Sequence, residues 1–313
     1  MPPSSSASTP AGLALAALFG GAVAIAFAPI FVRLSELGPV ATACHRLLLA
    51  LPVLWLWAAL EAPLHARPGA RHRRPRGRAD HLRLALAGLC FAGDLALWHW
   101  SIRLTSVANA TLLANAAPIF VALGGWLLFA QRFTGTFIVG MLLALAGAAV
   151  LMGQSLSLDP GRLAGDALGL LTALFYAGYI LAVGRLRGEF STATIMAWSG
   201  AVTALVLLPL AWLSGETLLA TTLHGWLVLL GLALLSHTCG QSLIAYALAH
   251  LPAAFSSVGL LLQPAVAALL AWLLLAEPLS AWQALGGAVI LAGIVVARRG
   301  SRPPPAVAPL PTG

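Results

Sequence analysis

The chain has 313 residues, of which 60% are hydrophobic and only 8% are charged. Soluble domains carry about 25% charged residues, so this composition excludes an ordinary water-soluble domain and favours a protein whose surface faces lipid. The net charge is +8, but the densest basic stretch lies between apolar runs, which indicates a loop beside a membrane and not a nucleic-acid interface.

Ten apolar runs are long enough to cross the hydrocarbon as helices, which takes about 20 residues. Residues 1–11 lack the basic segment of a cleaved signal peptide, so they are expected to form a short cytoplasmic N-terminus before a retained helix. Residues 300–313 are rich in proline and are predicted to be a cytoplasmic tail. The predicted helices cover residues 12–32, 38–60, 83–102, 106–129, 134–153, 165–184, 193–213, 225–247, 254–275 and 282–299.

A basic loop at 61–82 separates predicted helices 2 and 3, and seven arginines fall between Arg67 and Arg83. Anionic lipid headgroups are the expected partners of this cluster. If the N-terminus is cytoplasmic, 13 arginines lie in inner loops and the tail and only 3 in outer loops. The positive-inside rule therefore predicts a bacterial inner-membrane protein with both termini in the cytoplasm.

An internal repeat links the two halves of the chain. At a constant offset of 146 residues, 118–147 and 264–293 are identical at 11 of 30 positions. The matches include Pro118 with Pro264 and Gly147 with Gly293. The offset pairs helices 4 and 5 with helices 9 and 10, which cross the membrane in opposite directions, and inverted repeats of this kind are typical of transporters.

The stretch "TSVANATLLANAAPIFVALGGWLLFAQR" (105–132) and its echo "FSSVGLLLQPAVAALLAWLLLAEPLS" (255–280) resemble the two EamA repeats of the drug/metabolite transporter superfamily. The arginine in "CHRLLLALPVL" (44–54) is also similar to the family pattern. The resemblance implies an all-α integral membrane protein with ten helices in two inverted five-helix repeats, at 12–153 and 165–299. It further implies a central cavity lined mainly by helices 1, 3, 4, 6, 8 and 9. The first repeat departs from the family by ending its fourth helix with Ala130–Gln131, where the second has the acidic Ala276–Glu277.

Asp94 lies inside the apolar stretch "FAGDLALWHW" (91–100). Ionisable groups inside a membrane are costly and usually face a bundle interior or a water-filled cavity. By helix rise, Asp94 and Arg46 both lie about 12 Å from the outer ends of their helices. Two interpretations stay open: a buried ion pair that fixes helix register, or a site carboxylate that binds a cation or carries a proton. Arg46 is correspondingly a structural or ion-pair candidate.

Trp98 shares a helix face with Asp94, so it is either a stacking surface for a ligand or an interfacial anchor. His99, rotated away from Asp94, is expected to be an interfacial residue. On helix 8, His237 and Gln241 share a face, and His237 is either a proton-coupling group or a hydrogen-bonded core residue.

Further polar candidates lie near prolines or mid-helix, where transporter cavities form. They are Asn109 and Asn115 on helix 4, Gln263 on helix 9, and Tyr176 and Tyr179 on helix 6. The predicted substrate-binding or coupling set is therefore Asp94, Trp98, Asn115, Tyr176, Tyr179, His237, Gln241 and Gln263.

No catalytic, metal or cofactor motif is found: P-loop, HExxH and GxSxG patterns are absent, and the three cysteines form no CxxC pair. The sequence predicts a secondary transporter, not an enzyme, that moves a small organic metabolite (amino-acid-like, nucleobase-like or drug-like), with export favoured and proton coupling or exchange both open. The alternatives are a non-cycling membrane receptor or scaffold and an intramembrane enzyme. The protein is expected to be a monomer or a homodimer.

Overall fold

The computed structural model describes residues 9–64, 72–153 and 160–301. In these ranges all regular structure is helical, and ten helices are long and apolar enough to cross a membrane. Helices 1 to 10 are Ala11–Leu34, Pro39–Glu61, Gly77–Leu104, Asn109–Phe129, Gly135–Met152, Leu163–Leu186, Thr192–Leu213, Leu223–Ala247, Ala253–Leu275 and Ala281–Gly300. The predicted ten-helix membrane fold is confirmed. Some predictions fall outside the described residues. They concern most of the N-terminal segment, Arg67 and Arg71, part of the linker between the halves, and the tail beyond residue 301.

Large apolar side chains cover the outside of the bundle. Leu213 is 78% exposed and Trp212 is 75% exposed. Water would make such a surface unfavourable, whereas hydrocarbon does not. The chain is therefore a multi-pass membrane protein.

The inverted repeat is visible in the backbone. Ala130 and Ala276, which are 146 residues apart, both end the fourth helix of their half in the left-handed conformation, with φ of 51° and 55°. The next helix of each half then begins behind a hydroxyl cap, Thr134 in one half and Ser280 in the other. The two helix-turn-helix units are therefore copies, including a backbone conformation that alanine rarely adopts.

Helices 5 and 10 pack against each other through glycines. The contact uses Gly140 and Gly147 on one helix and Gly286, Gly293 and Gly300 on the other. A Cβ at Gly140 would lie 2.2 Å from a backbone nitrogen of helix 10, and one at Gly293 would lie 2.4 Å from a backbone nitrogen of helix 5. Small residues allow this backbone approach, which replaces the hydrophobic driving force that lipid does not provide.

Four of the helices are interrupted near a proline, at Pro29, Pro52, Pro118 and Pro264. Helix 8 is interrupted differently, by a π-helical segment at Leu232–Gln241. Broken helices expose backbone groups, which membrane proteins tolerate only where protein or a water-filled cavity surrounds them. Four of the five broken helices, 1, 4, 8 and 9, belong to the set that the family resemblance places around a cavity.

One end of the bundle, called here the Glu277 end, contains the connections 35–38, 214–222 and 276–280. Glu36 accepts hydrogen bonds from the backbone N–H groups of Thr221 (2.8 Å) and Thr222 (3.3 Å) and from both hydroxyls. These bonds lower the pKa of Glu36 to about 2, with the Thr222 hydroxyl the largest cause. The connection after helix 1 is thus fastened to the connection before helix 8.

The opposite end, called here the Gln131 end, contains the connections 130–134, 187–191 and 248–252. Arg73 and Arg83 form ion pairs here with Asp80 and Glu189. Helix 3 begins at Gly77, so residues 77–82, placed by the sequence in the basic loop, are helical. Two arginines of the cluster therefore have carboxylate partners, and Arg74 donates to the Ala62 carbonyl at 3.1 Å. Lipid headgroups remain a prediction for the exposed Arg74, Arg76 and Arg78.

Gly293→Ala should lower the free energy of unfolding by roughly 1–3 kcal/mol, because its Cβ meets backbone that cannot move aside. The matched control is Gly287→Ala on the same helix, where a Cβ meets only the Ala265 methyl at 3.7 Å. Unfolding in mixed detergent micelles measures both variants. Equal losses in the two would contradict the packing assigned to Gly293.

Glu36→Gln should lower the thermal midpoint in detergent at pH 6, because it replaces the charged carboxylate that accepts the Thr221 and Thr222 bonds with a neutral amide that has only one acceptor oxygen. The folded-state pKa of Glu36, about 2, lies below its ordinary value of 4.5. Its contribution is therefore complete above about pH 4.5 and is lost as the pH falls through 2. The difference between wild type and variant should shrink from pH 5 to pH 3, and a difference constant over that range would refute this assignment.

Candidate functional site

A cavity of about 200 Å³ lies among helices 1, 2, 3, 4, 6, 8 and 9. Six of these helices are the ones that the family resemblance implies, and helix 2 joins them through Ala43 and Arg46. Most of the predicted site residues line this cavity, namely Arg46, Asp94, Trp98, Asn115, Tyr176, Gln241 and Gln263. Polar side chains from six helices thus reach one enclosed space.

Arg46 and Asp94 carry opposite charges on the wall of the same cavity. Their charges are near enough to interact, yet among the described residues no N···O contact within 4.0 Å joins them. A direct buried ion pair would compensate both charges and leave little for a ligand. The geometry favours the interpretation of Asp94 as a site carboxylate over that of a register-fixing pair.

Phe91 forms the surface beneath Arg46. The guanidinium carbon of Arg46 lies 6.0 Å from the centre of the Phe91 ring. The Phe91 ring also stacks on the Tyr179 ring, with centroids 4.8 Å apart, and on the His237 ring, with centroids 5.6 Å apart. Phe91 is 3% exposed and gave no polar signal in the sequence, so sequence reasoning missed it.

Tyr179 and His237 lie behind this surface and do not line the cavity. The Tyr179 hydroxyl donates to the Met196 sulfur at 3.6 Å. Both ring nitrogens of His237 lack a hydrogen-bond partner among the described residues, although the side chain is 1% exposed. The hydrogen-bonded core histidine expected as one alternative is therefore not what the described residues form.

Trp98 and His99 make a wall of the cavity on helix 3. Their rings meet edge to face at 5.1 Å. His99 is 4% exposed and its Nδ1 lies 2.5 Å from the carbonyl oxygen of Leu95. His99 is therefore buried on the cavity wall, and its expected place near the membrane interface stays a prediction.

Several polar atoms at the cavity have no partner within the described part of the chain. They are Nε of Arg46, Oε1 of Gln241 and Nε2 of Gln263. A buried donor or acceptor without a partner costs about 1–3 kcal/mol, and such groups are normally satisfied by water or a ligand. The site therefore offers two donors and one acceptor in addition to its two charges.

Asn109 lies elsewhere. Its side chain contacts Ser106 and Asp166 at the end of helix 4, with Nδ2 3.3 Å from a carboxylate oxygen of Asp166. Thr111 and Thr172 line the cavity instead, and the sequence gave no reason to select them among many similar hydroxyls. A metal site is not supported, because the described residues contain no cluster of three or more His, Cys, Asp or Glu side chains suited to an ion.

Comparisons with known proteins agree with this architecture. The model of the EamA-like transporter family matches residues 12–153 and 163–299. A "Probable terminal-alkyne amino-acid exporter" of Streptantibioticus cattleyicolor is 30% identical over 88% of this chain and 89% of its own. The threonine/homoserine exporter of Salmonella typhimurium is 29% identical over 72% of each chain. One crystal structure superposes with a TM-score of 0.77 over 93% of this chain and 99% of the other, at 18% identity, which shows a shared fold.

A cysteine at Asn115 should react with a hydrophilic maleimide about tenfold faster than one at Trp100, because thiols react as thiolates, which require water. Asn115 lines the cavity, whereas Trp100 is 49% exposed on the lipid side. Both are made after the three native cysteines, Cys44, Cys90 and Cys239, have been replaced by alanine. Equal rates would show that the cavity is not hydrated.

Proposed function

Because the chain belongs to the EamA-like transporter family, we propose that it is a secondary transporter that exports a small amino-acid-like zwitterion by alternating access. The observation that carries this proposal is that Arg46 and Asp94 line one small cavity without pairing directly. A zwitterion presents a carboxylate to the guanidinium and an ammonium to the carboxylate. Both buried charges are then compensated by the solute.

The rest of the cavity fits the same class of solute. The Trp98 and Tyr176 rings offer apolar or cation–π contact to a side chain. The unpartnered Gln263 amide donor can add a bond to the solute carboxylate, and the Gln241 carbonyl can accept from its ammonium. A volume of about 200 Å³ is below the range of pockets that hold drug-sized ligands, roughly 300–1,000 Å³. The size therefore favours a single small metabolite over a drug-like molecule.

Export in exchange for a proton follows from the chemistry of Asp94. A buried carboxylate needs a cation beside it or a proton on it. Solute release leaves Asp94 without the ammonium, and a proton that binds this carboxylate replaces the ammonium as its partner. The return step then carries one positive charge, that of Arg46 beside the Phe91 ring. The solute and the proton then compete for one group, which couples their opposite movements.

Export also agrees with the relatives, since the two named above are called exporters. Inverted repeats supply the mechanism, because each half can adopt the arrangement of the other. The first experiment is comparative metabolomics of the medium of cells that express the wild type or carry an empty vector. Accumulation of one amino-acid-like class outside the wild-type cells identifies the solute for assays in proteoliposomes. Identical media, together with no counterflow of labelled amino acids, would favour a non-cycling receptor.

Asp94→Asn should abolish export while the protein still inserts and folds, because an amide neither holds an ammonium as strongly nor accepts a proton. The matched control is Asp166→Asn, which changes the same group at the end of helix 6, where Asp166 bonds Thr105 at 2.7 Å. Export by the control should stay within about twofold of wild type, since Asp166 does not line the cavity and asparagine keeps an oxygen that can accept from Thr105 and Asn109. Counterflow at matched protein levels measures both, and full activity of Asp94→Asn would refute the proposed role.

A further inference from the structure

Arginine contacts at the two ends of the bundle occupy corresponding places in the two repeats. At the Glu277 end, Arg33 at the end of helix 1 forms an ion pair with Glu277, just after helix 9. At the Gln131 end, Arg185 at the end of helix 6 lies over the Phe129 ring, 3.7 Å from its centre, at the end of helix 4. Each contact joins the first helix of one repeat to the fourth helix of the other.

The residues themselves match between the repeats. "Arg-Leu" ends helix 1 at 33–34 and helix 6 at 185–186, so the two arginines correspond by their place at the helix end, with an offset of 152 residues. At the offset of 146, Glu277 corresponds to Gln131, and Phe129 corresponds to Leu275. The two arginines therefore contact partners of different kinds, a carboxylate for Arg33 and an aromatic ring for Arg185.

The contacts are placed to control access to the cavity. Val32, the neighbour of Arg33, lines the cavity, and so does Gln263 on helix 9. Separation of helix 1 from helix 9 would open the cavity at the Glu277 end. Helices 6 and 4 carry the lining residues Tyr176 and Asn115, and their separation would open the cavity at the Gln131 end. Alternating access requires that one separates while the other remains closed.

We infer that Arg33–Glu277 and Arg185–Phe129 are the two symmetry-related latches of the transport cycle, and that their relative strength sets which side of the cavity opens. The inference rests on the alternating-access transport proposed above. A ligand-free two-state equilibrium responds to any change that stabilises one state only. Loss of one latch therefore shifts the population toward the state in which that end is open.

Replacement of equivalent arginines provides the test. Arg33→Gln and Arg185→Gln remove the same charge from equivalent positions, so a general loss of stability would affect both in the same way. If the two contacts are latches, the two replacements change the access to the cavity from a given side in opposite directions. Gln131→Glu places a carboxylate at the position that corresponds to Glu277, two residues after Phe129. If this carboxylate strengthens the second latch, the variant acts in the same direction as Arg33→Gln.

Access is measured as the rate at which a membrane-impermeant maleimide modifies a cysteine at Thr111 on the cavity wall, in protein otherwise free of cysteine and without any solute. The reagent is supplied from the side of the Glu277 end, which is identified by the labelling of a separate cysteine at Leu219, 64% exposed in the connection at that end. We expect about twofold to fivefold faster labelling in Arg33→Gln and in Gln131→Glu, and slower labelling by a similar factor in Arg185→Gln, as for exposed charge contacts of ordinary strength.

The matched control is Arg132→Gln. Arg132 is exposed next to Gln131, and its replacement changes the net charge of that end by the same amount as Gln131→Glu. Wild-type labelling in this control supports the latches, whereas acceleration equal to that of Gln131→Glu overturns them in favour of a net-charge effect. Shifts of Arg33→Gln and Arg185→Gln in the same direction, or no shift in either, also overturn the inference. Because labelling needs no solute, each of these results leaves the transport proposal to be judged by counterflow alone.

Discussion

A guanidinium and a carboxylate that share a buried cavity without direct contact are the feature on which the rest of this molecule depends. Arg46 and Asp94 lie on adjacent helices within an apolar bundle, where uncompensated charge is costly. The bundle tolerates them because broken helices, aromatic rings and amide side chains surround the same space. Within the described part of the chain, atoms of Arg46, Gln241 and Gln263 lack partners at this site. In the proposed exchange, the solute provides partners for these groups, and a proton replaces it at Asp94.

The fold provides rigidity where the site needs it and weak contacts where the cycle needs movement. Helices 5 and 10, joined by glycines at backbone contact distance, form a part of the bundle that cannot slide without steric conflict. The ends of helices 1 and 6 instead meet the ends of helices 9 and 4 through exposed arginine contacts. Such contacts have strengths comparable to thermal energy, so they bias an equilibrium without preventing its interconversion. The two repeats thus share an architecture but not an identical pair of contacts.

The sequence alone identified some residues of the candidate site and not others. Asp94 was identifiable because a carboxylate in a hydrophobic run has few explanations, and Gln263 because a polar group adjoins a proline. The burial of His99 on the cavity wall was not identifiable, since it depends on how helix 3 rotates against its neighbours. Phe91 and the π-helical segment of helix 8 had no signal at all: one is an ordinary apolar residue, and the other contains no proline to mark the interruption. Tyr179 and His237 shared helix faces with cavity residues yet lie one layer behind them.

Hydropathy determined the number of helices, arginine placement gave the predicted orientation, and the 146-residue offset revealed the inverted repeat. Each of these depends on local composition or on comparison of the chain with itself. The tertiary structure alone decided which polar groups share one space, that Arg46 and Asp94 do not pair directly, and that Arg33 meets Glu277 while Arg185 meets Phe129. These relations join residues more than 40 positions apart. They follow from how helices rotate and pack against one another, which helical periodicity in a single segment does not specify.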